Sequence, residues 1–182
     1  MRADARGTLT MAQAFEDAKS RIDSELADDP KLRTDLLDDF GEITAGKGDF
    51  VAAKALFERA LALAEQTYGP NHPAVAESLI NLAVIGAYQG RVVEGEPLLL
   101  RAVAILEPYE KSEPLSLANA LSALSGVRHE QGRDDEAIAI LERVLAIERA
   151  ARKPDDAPIA TLQNLATALL EANRTQEAER YA

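Results

Sequence analysis

The chain has 182 residues, with 20 Lys and Arg against 31 Asp and Glu, a net charge of −11, and neither cysteine nor tryptophan. Without cysteine there are no disulfides, thiolate metal ligands or thiol nucleophiles. An acidic chain lacking a basic stripe is poorly suited to nucleic acid or to anionic membrane surfaces, which draw their affinity from Lys and Arg. No apolar run approaches the roughly 18 residues of a membrane span, and residues 1–7 carry no apolar signal core. A cytoplasmic protein that binds neither nucleic acid nor membrane is expected. Ala and Leu dominate, which favours helix.

Taken in order, residues 1–8 read as a disordered N-terminus. Residues 9–29 carry apolar side chains at Ala12, Phe15, Ile22 and Leu26, the spacing of an amphipathic helix. This segment has no counterpart further along and reads as a capping helix. Asp28-Asp29-Pro30 then opens a helix over 30–46, because proline is tolerated in a first turn. A second helix is expected over 50–68. Gly69-Pro70-Asn71-His72-Pro73 ends it and starts the next. Two further pairs follow at 73–89 with 92–109 and at 114–131 with 134–152. A last pair begins at 158–172 and continues from about 175.

Repetition organises the chain. Gly48, Gly90 and Gly132 stand 42 residues apart, and the next turn falls at Asn173. A fixed period of this size is the signature of stacked helical units. Leu37, Leu79, Leu121 and Leu162 occupy one column, and Phe40, Leu82, Leu124 and Leu165 a second. Small residues fill a third (Gly41, Ala83, Ser125, Ala166) and a fourth beyond the turn (Ala53, Gly95, Ala137, Ala178). Phe57, Leu99 and Leu141 form a fifth. Small side chains at matched heights let two helices approach, and large apolar ones a turn away fill the seam. Arg59, Arg101 and Arg143 also recur in register, as solvated or stem-packed side chains. The units are 30–72, 73–113, 114–157 and 158–182, the last one short.

These columns resemble the tetratricopeptide repeat family across about residues 30–182. The 42-residue period, the Gly-Pro-Asn-His-Pro linker, and Leu79-Ile80-Asn81-Leu82-Ala83 with Leu162-Gln163-Asn164-Leu165-Ala166 are similar to its kinesin-light-chain subtype. The resemblance implies an all-α fold, a right-handed α-solenoid of antiparallel helix pairs. It also implies a non-enzymatic scaffold that binds a peptide or protein segment in a concave groove. A second resemblance, over residues 20–33, is to the start of the repeat region in bacterial signalling proteins whose repeats follow a serine/threonine kinase domain. It implies the alternative of a detached or truncated regulatory module. The chain has no glycine-rich phosphate loop and no catalytic-aspartate loop.

Candidates for chemistry are few. His72 lies in a linker, where it caps a helix or faces solvent. His129 stands alone near a helix end. Neither has the nucleophile and orienting partner of a triad. Thr44-Ala45-Gly46-Lys47-Gly48 lacks phosphate-loop spacing. The paired acids Asp38-Asp39 and Asp134-Asp135-Glu136 diverge around their helices rather than converging on a metal. No catalytic residue, cofactor or metal is assigned.

Projected onto the repeat register, the groove-facing positions implied by the resemblance are Asp35, Asp38, Glu42, Glu77, Ile80, Val84, Tyr88, Asn119, Ser122, His129, Gln163 and Thr167, with Ala87 and Arg128 beside them. Some family members grip a peptide carboxylate with Lys and Asn. The matching positions here are Asp38, Ile80, Ser122 and Gln163, with Glu42, Val84, Gly126 and Thr167, and hold neither residue. The first unit offers an acidic patch instead, suited to a basic segment of a partner. Self-association through the short last repeat is a further expectation, because the apolar face of 158–172 has little chain left to cover it.

Overall fold

The computed structural model describes residues 17, 21, 22, 25, 26, 28–151 and 157–181. The expected disordered start and most of the capping helix lie outside them. The helices are α1 (Pro30–Gly46), α2 (Phe50–Tyr68), α3 (Pro73–Tyr88), α4 (Glu96–Leu106), α5 (Pro114–Glu130), α6 (Asp134–Ala151), α7 (Ile159–Glu171) and a short α8 (Thr175–Ala178). No strand occurs among the described residues. Each helix packs on its neighbours in sequence, and α3 also touches α1 and α5. The result is an α-solenoid in which α1, α3, α5 and α7 form one layer and α2, α4, α6 and α8 the other.

The turn between paired helices has one chemistry throughout. Gly48, Gly90 and Gly132 have φ of 84°, 74° and 71°, and Asn173 takes the same place at 58°. This left-handed conformation carries little penalty for Gly and is tolerated by Asn. It aims the following amide back into the helix: Arg91 donates to the Gly86 carbonyl at 2.8 Å, Arg133 to Arg128 at 2.9 Å and Arg174 to Leu169 at 2.8 Å. Carbonyls that a helix end leaves free are thereby satisfied. Asp49 caps the next helix by accepting from the Ala52 amide, and Asp29 does the same for α1 through Leu32.

The repeating columns supply much of the core, with Phe40, Leu82 and Leu162 partly buried at its edge. Leu37, Leu79, Leu121, Ala53, Ala137, Ala178, Phe57, Leu99 and Leu141 are all buried. Gly41 is buried because the Phe57 ring occupies the space its side chain would take: a Cβ there would lie 2.7 Å from Cζ and 2.8 Å from Cδ1. The same approach is made by Gly95 on Ala83, at 3.1 Å for an added Cβ. At the first end, Ile22 packs with Leu37, Leu56, Ala60 and Leu63. At the other, α7 and α8 share a cluster with Ile138, Leu141 and Leu145 of α6.

One element departs from expectation. The 92–109 helix is broken into a 3-10 turn (Val92–Gly95), α4, and a second 3-10 turn (Glu107–Tyr109). Pro97 has no N–H to offer the Val93 carbonyl, so the Glu96 amide takes that acceptor in a tighter turn. Pro108 removes a donor in the same way at the other end. Two of the register arginines, Arg101 and Arg143, reach across the outer layer to the preceding unit. Arg101 donates to Glu65 at 2.6 Å and to the Pro70 carbonyl at 3.1 Å. Arg143 donates to Glu107 at 3.0 Å and Glu110 at 3.3 Å.

Candidate functional site: a trough across the first-layer helices

The inner surface of α1, α3 and α5 carries three connected depressions. The first lies toward the starts of these helices and is lined by Asp35, Glu42, Glu77, Ile80, Asn119 and Glu113, among others. Glu42, Ile80 and Asn119 pass into a second, which runs to Phe50, Val84 and Tyr88. Val84 and Tyr88 in turn belong to a third, with Ala87, Ala123, Gly126 and His129. Gly126 and His129 continue toward α7, where Ser122 and Thr167 join them. One trough therefore crosses the stack, acidic at one end and apolar at its centre.

Most of the sequence-derived positions come together here. Asp35, Glu42, Glu77, Ile80, Asn119, Val84, Tyr88, His129, Ser122 and Thr167 all line the trough. Ile80 forms floor rather than wall, since it is buried. Gln163 is exposed on α7 but is not part of the lining. Two positions are reassigned. Asp38 is only 6% exposed. It points between α1 and α3, where it accepts from the Ser78 hydroxyl and, at 3.3 Å, from the Asn81 amide nitrogen. Arg128 is buried as well, paired with Glu96 and donating to Gln131 at 3.0 Å. Both are drawn inward by their partners, Asp38 by Ser78 and Asn81 of α3 and Arg128 by Glu96 of α4.

Electrostatics follow from the packing. Burial, reinforced by the negative charge of Glu77, pushes the Asp38 carboxyl up to about 7, against the pull of the Asn81 and Ser78 donors. Burial also raises Glu77, with Asp35 and Glu42 adding repulsion. Lys31 answers part of this charge through Asp35, at 3.0 Å. His129 is raised, first by its hydrogen bond to Asp134 at 2.8 Å and further by Glu171. His72 accepts from the Ala74 amide at 3.2 Å, capping α3, and stacks on Tyr68 with ring centroids 4.4 Å apart.

Sequence reasoning missed Phe50, Asn81, Glu113, Ser116 and Tyr68 as lining residues. Phe50 belongs to an outer-layer helix, but its ring lies parallel to that of Tyr88, centroids 5.4 Å apart. Nothing in a one-dimensional register brings residues of different layers together in this way. Glu113 and Ser116 sit at the first turn of α5, and their acidic and polar character was the available signal. No group of three or more His, Asp or Glu side chains able to hold a metal occurs among the described residues. No described helix is long and apolar enough to cross a membrane.

A continuous two-layer stack of helix pairs, with a trough on one layer, defines a helical-repeat solenoid. The tetratricopeptide repeat family profile matches residues 33–107, 82–149 and 116–182, and the chain belongs to that family. Tetratricopeptide repeats generally mediate protein–protein interactions and are generally non-catalytic. No curated protein matches the chain. Among solved structures, it is similar to a point variant of a Podosopora anserina putative kinesin light chain with nearly identical TPR-like repeats. That pair has 26% identity and a TM-score of 0.71, covering 82% of this chain and 71% of that one. It is similar in fold to BtubC (BKLC) from P. vanneervenii, at 22% identity and TM-score 0.77, covering 94% and 71%. MamA protein shares the fold at 20% identity and TM-score 0.62, covering 93% and 80%.

Proposed function

We propose that the chain is a non-catalytic interaction scaffold that holds a peptide or protein segment in the trough of α1, α3 and α5. The observation that carries this reading is the division of labour along the first-layer helices. The Leu and small-residue columns that hold the stack repeat in kind from unit to unit, whereas the trough positions change: Glu42, Val84, Gly126 and Thr167 occupy one register place. The columns fix the stack, and the changing positions give the trough a chemistry of its own, acidic at one end and apolar at its centre. Recognition sites are concave, partly apolar and provided with a few polar groups, and this trough has those properties.

The test is selection of displayed peptides on the wild-type protein, followed by binding of the enriched peptides to Gly126→Leu and to Ala104→Glu. Gly126 faces open space, so leucine fills the trough without crowding the helix. Ala104 is exposed on α4, outside the lining. Loss of binding in Gly126→Leu with retention in Ala104→Glu supports the trough. The reverse pattern overturns it.

A further inference from the structure

The trough has a chemical direction that specifies its occupant. On α3, Glu77, Ile80, Val84 and Tyr88 follow one another at helical spacing along a single face. The Glu77 end is joined by Asp35 of α1 and by Glu113, and Glu42 of α1 lines both this depression and the central one. The Tyr88 end is joined by Ala87, Ala123 and Gly126, with little polar surface beyond His129 and Glu130. Tyr88 is 67% exposed yet its ring is held by the parallel ring of Phe50. An exposed aromatic fixed on one face and open on the other is ready to receive a side chain with little ordering cost. Gly126 leaves the adjoining floor open, with nothing within 4 Å of an added Cβ.

Toward the opposite end Asp35 and Glu42 repel the Glu77 carboxylate, and Lys31 pairs with Asp35. A ligand cation placed there relieves that repulsion, whereas a ligand anion adds to it. Glu77 and Tyr88 are separated by eleven residues of one helix, about 16 Å at the α-helical rise. An extended chain covers that distance in about five residues.

Building on the trough reading above, we propose that the occupant is an extended segment of a partner protein. It carries a lysine or arginine among Asp35, Glu42 and Glu77, and an apolar or aromatic side chain against Tyr88, Val84 and Gly126. The two anchors stand about five residues apart. Charge complementarity selects the cation, and the braced tyrosine with its open floor selects the apolar anchor.

The experiment uses fluorescein-labelled Gly/Ser peptides read by fluorescence anisotropy. One carries Lys-Arg and Phe about five residues apart. Its counterparts replace Lys-Arg by Glu-Glu, replace Phe by Ser, or place the two anchors side by side. The first peptide is expected to bind about ten-fold more tightly than each counterpart, a difference of about 1.4 kcal/mol. Its affinity should fall with added salt and in Glu77→Gln, and binding should disappear in Gly126→Leu and Tyr88→Ser. Equal or tighter binding of the Glu-Glu peptide, still abolished by Gly126→Leu, overturns the polarity while leaving the trough as a binding site. Binding that survives both Gly126→Leu and Tyr88→Ser overturns the two readings together. Failure of all four peptides to bind overturns the anchor assignment, and the displayed-peptide selection then decides the trough separately. Circular dichroism of each variant verifies the fold.

Discussion

The Ser78 hydroxyl lies 3.3 and 3.2 Å from the two carboxylate oxygens of Asp38 and donates to them across the seam between the first two repeats. This buried contact joins α1 to α3, and Asn81 adds a second donor. The carboxyl is raised from its ordinary value of 3.8 to about 7, chiefly by burial and then by Glu77. The folded state therefore holds a proton here that the unfolded chain has released. Its stabilising contribution is complete below about pH 4 and is lost as pH rises through about 7. Urea unfolding should show the fold more stable at pH 6 than at pH 8, after correction for His129, which is also raised, and for other carboxylates. Asp38→Asn keeps an acceptor for Ser78 and removes the charge. It should flatten that slope and raise stability at pH 8 by about 1–3 kcal/mol. A slope unchanged by the substitution would show that Asp38 is ionised in the fold.

The contact of Gly41 with the Phe57 ring makes a second prediction. A methyl group at residue 41 meets ring atoms at under 3 Å, and the ring is buried. Gly41→Ala should lower stability by about 1–3 kcal/mol, as overpacking does. Its cost should shrink in a Phe57→Leu background, where the ring is absent. A double-mutant cycle in urea would measure that coupling.

Gly126 supplies the contrast. It is also a helix-interior glycine, but an added Cβ meets nothing. Gly126→Ala should raise stability by about 0.5–1 kcal/mol, the helix preference of alanine over glycine. Thermal melting of the two alanine variants side by side separates packing from propensity, since propensity alone would make both stabilising.

The turns give a fourth expectation. Asn173 adopts the left-handed conformation that Gly48, Gly90 and Gly132 adopt in the other units. Asn173→Gly should leave stability within about 1 kcal/mol of wild type, with the sign set by relief of backbone strain against added chain entropy. Gly90→Ala puts a Cβ on the same backbone and should cost about 1 kcal/mol or more. A neutral Gly90→Ala would mean that this turn opens readily.

The interhelix arginines should matter less than their regularity suggests. Arg101 with Glu65 and Arg143 with Glu107 are roughly two-fifths to half exposed. Arg101→Ala and Arg143→Ala should each cost about 0.2–1 kcal/mol, diminishing in high salt. Chemical unfolding at two salt concentrations checks both points.

Much of the architecture was legible in the chain because it depends on periodic properties. The 42-residue spacing of turn glycines, the prolines that open helices and the columns of Leu and Ala each arise from local backbone conformation or from one helix face. Those constraints recur in every unit, so a single chain displays them several times over. The broken helix around Glu96–Leu106 was also written locally, in Pro97 and Pro108, although the repeat register alone points to an unbroken helix there. The trough was legible in part. Register placed Glu77, Val84, Tyr88 and His129 on the first layer's open face. It placed Asp38 there too, although the Ser78 and Asn81 donors hold that carboxylate in the seam as a buried acceptor. Only the tertiary structure decided that Asp38 meets Ser78 and Asn81, that Phe50 braces Tyr88, and that the Phe57 ring fills the place of a side chain at Gly41. Each relation joins residues from different helices, and its outcome depends on interaxial distance and rotation. Those quantities emerge from the summed packing of the stack, which no single stretch of sequence encodes.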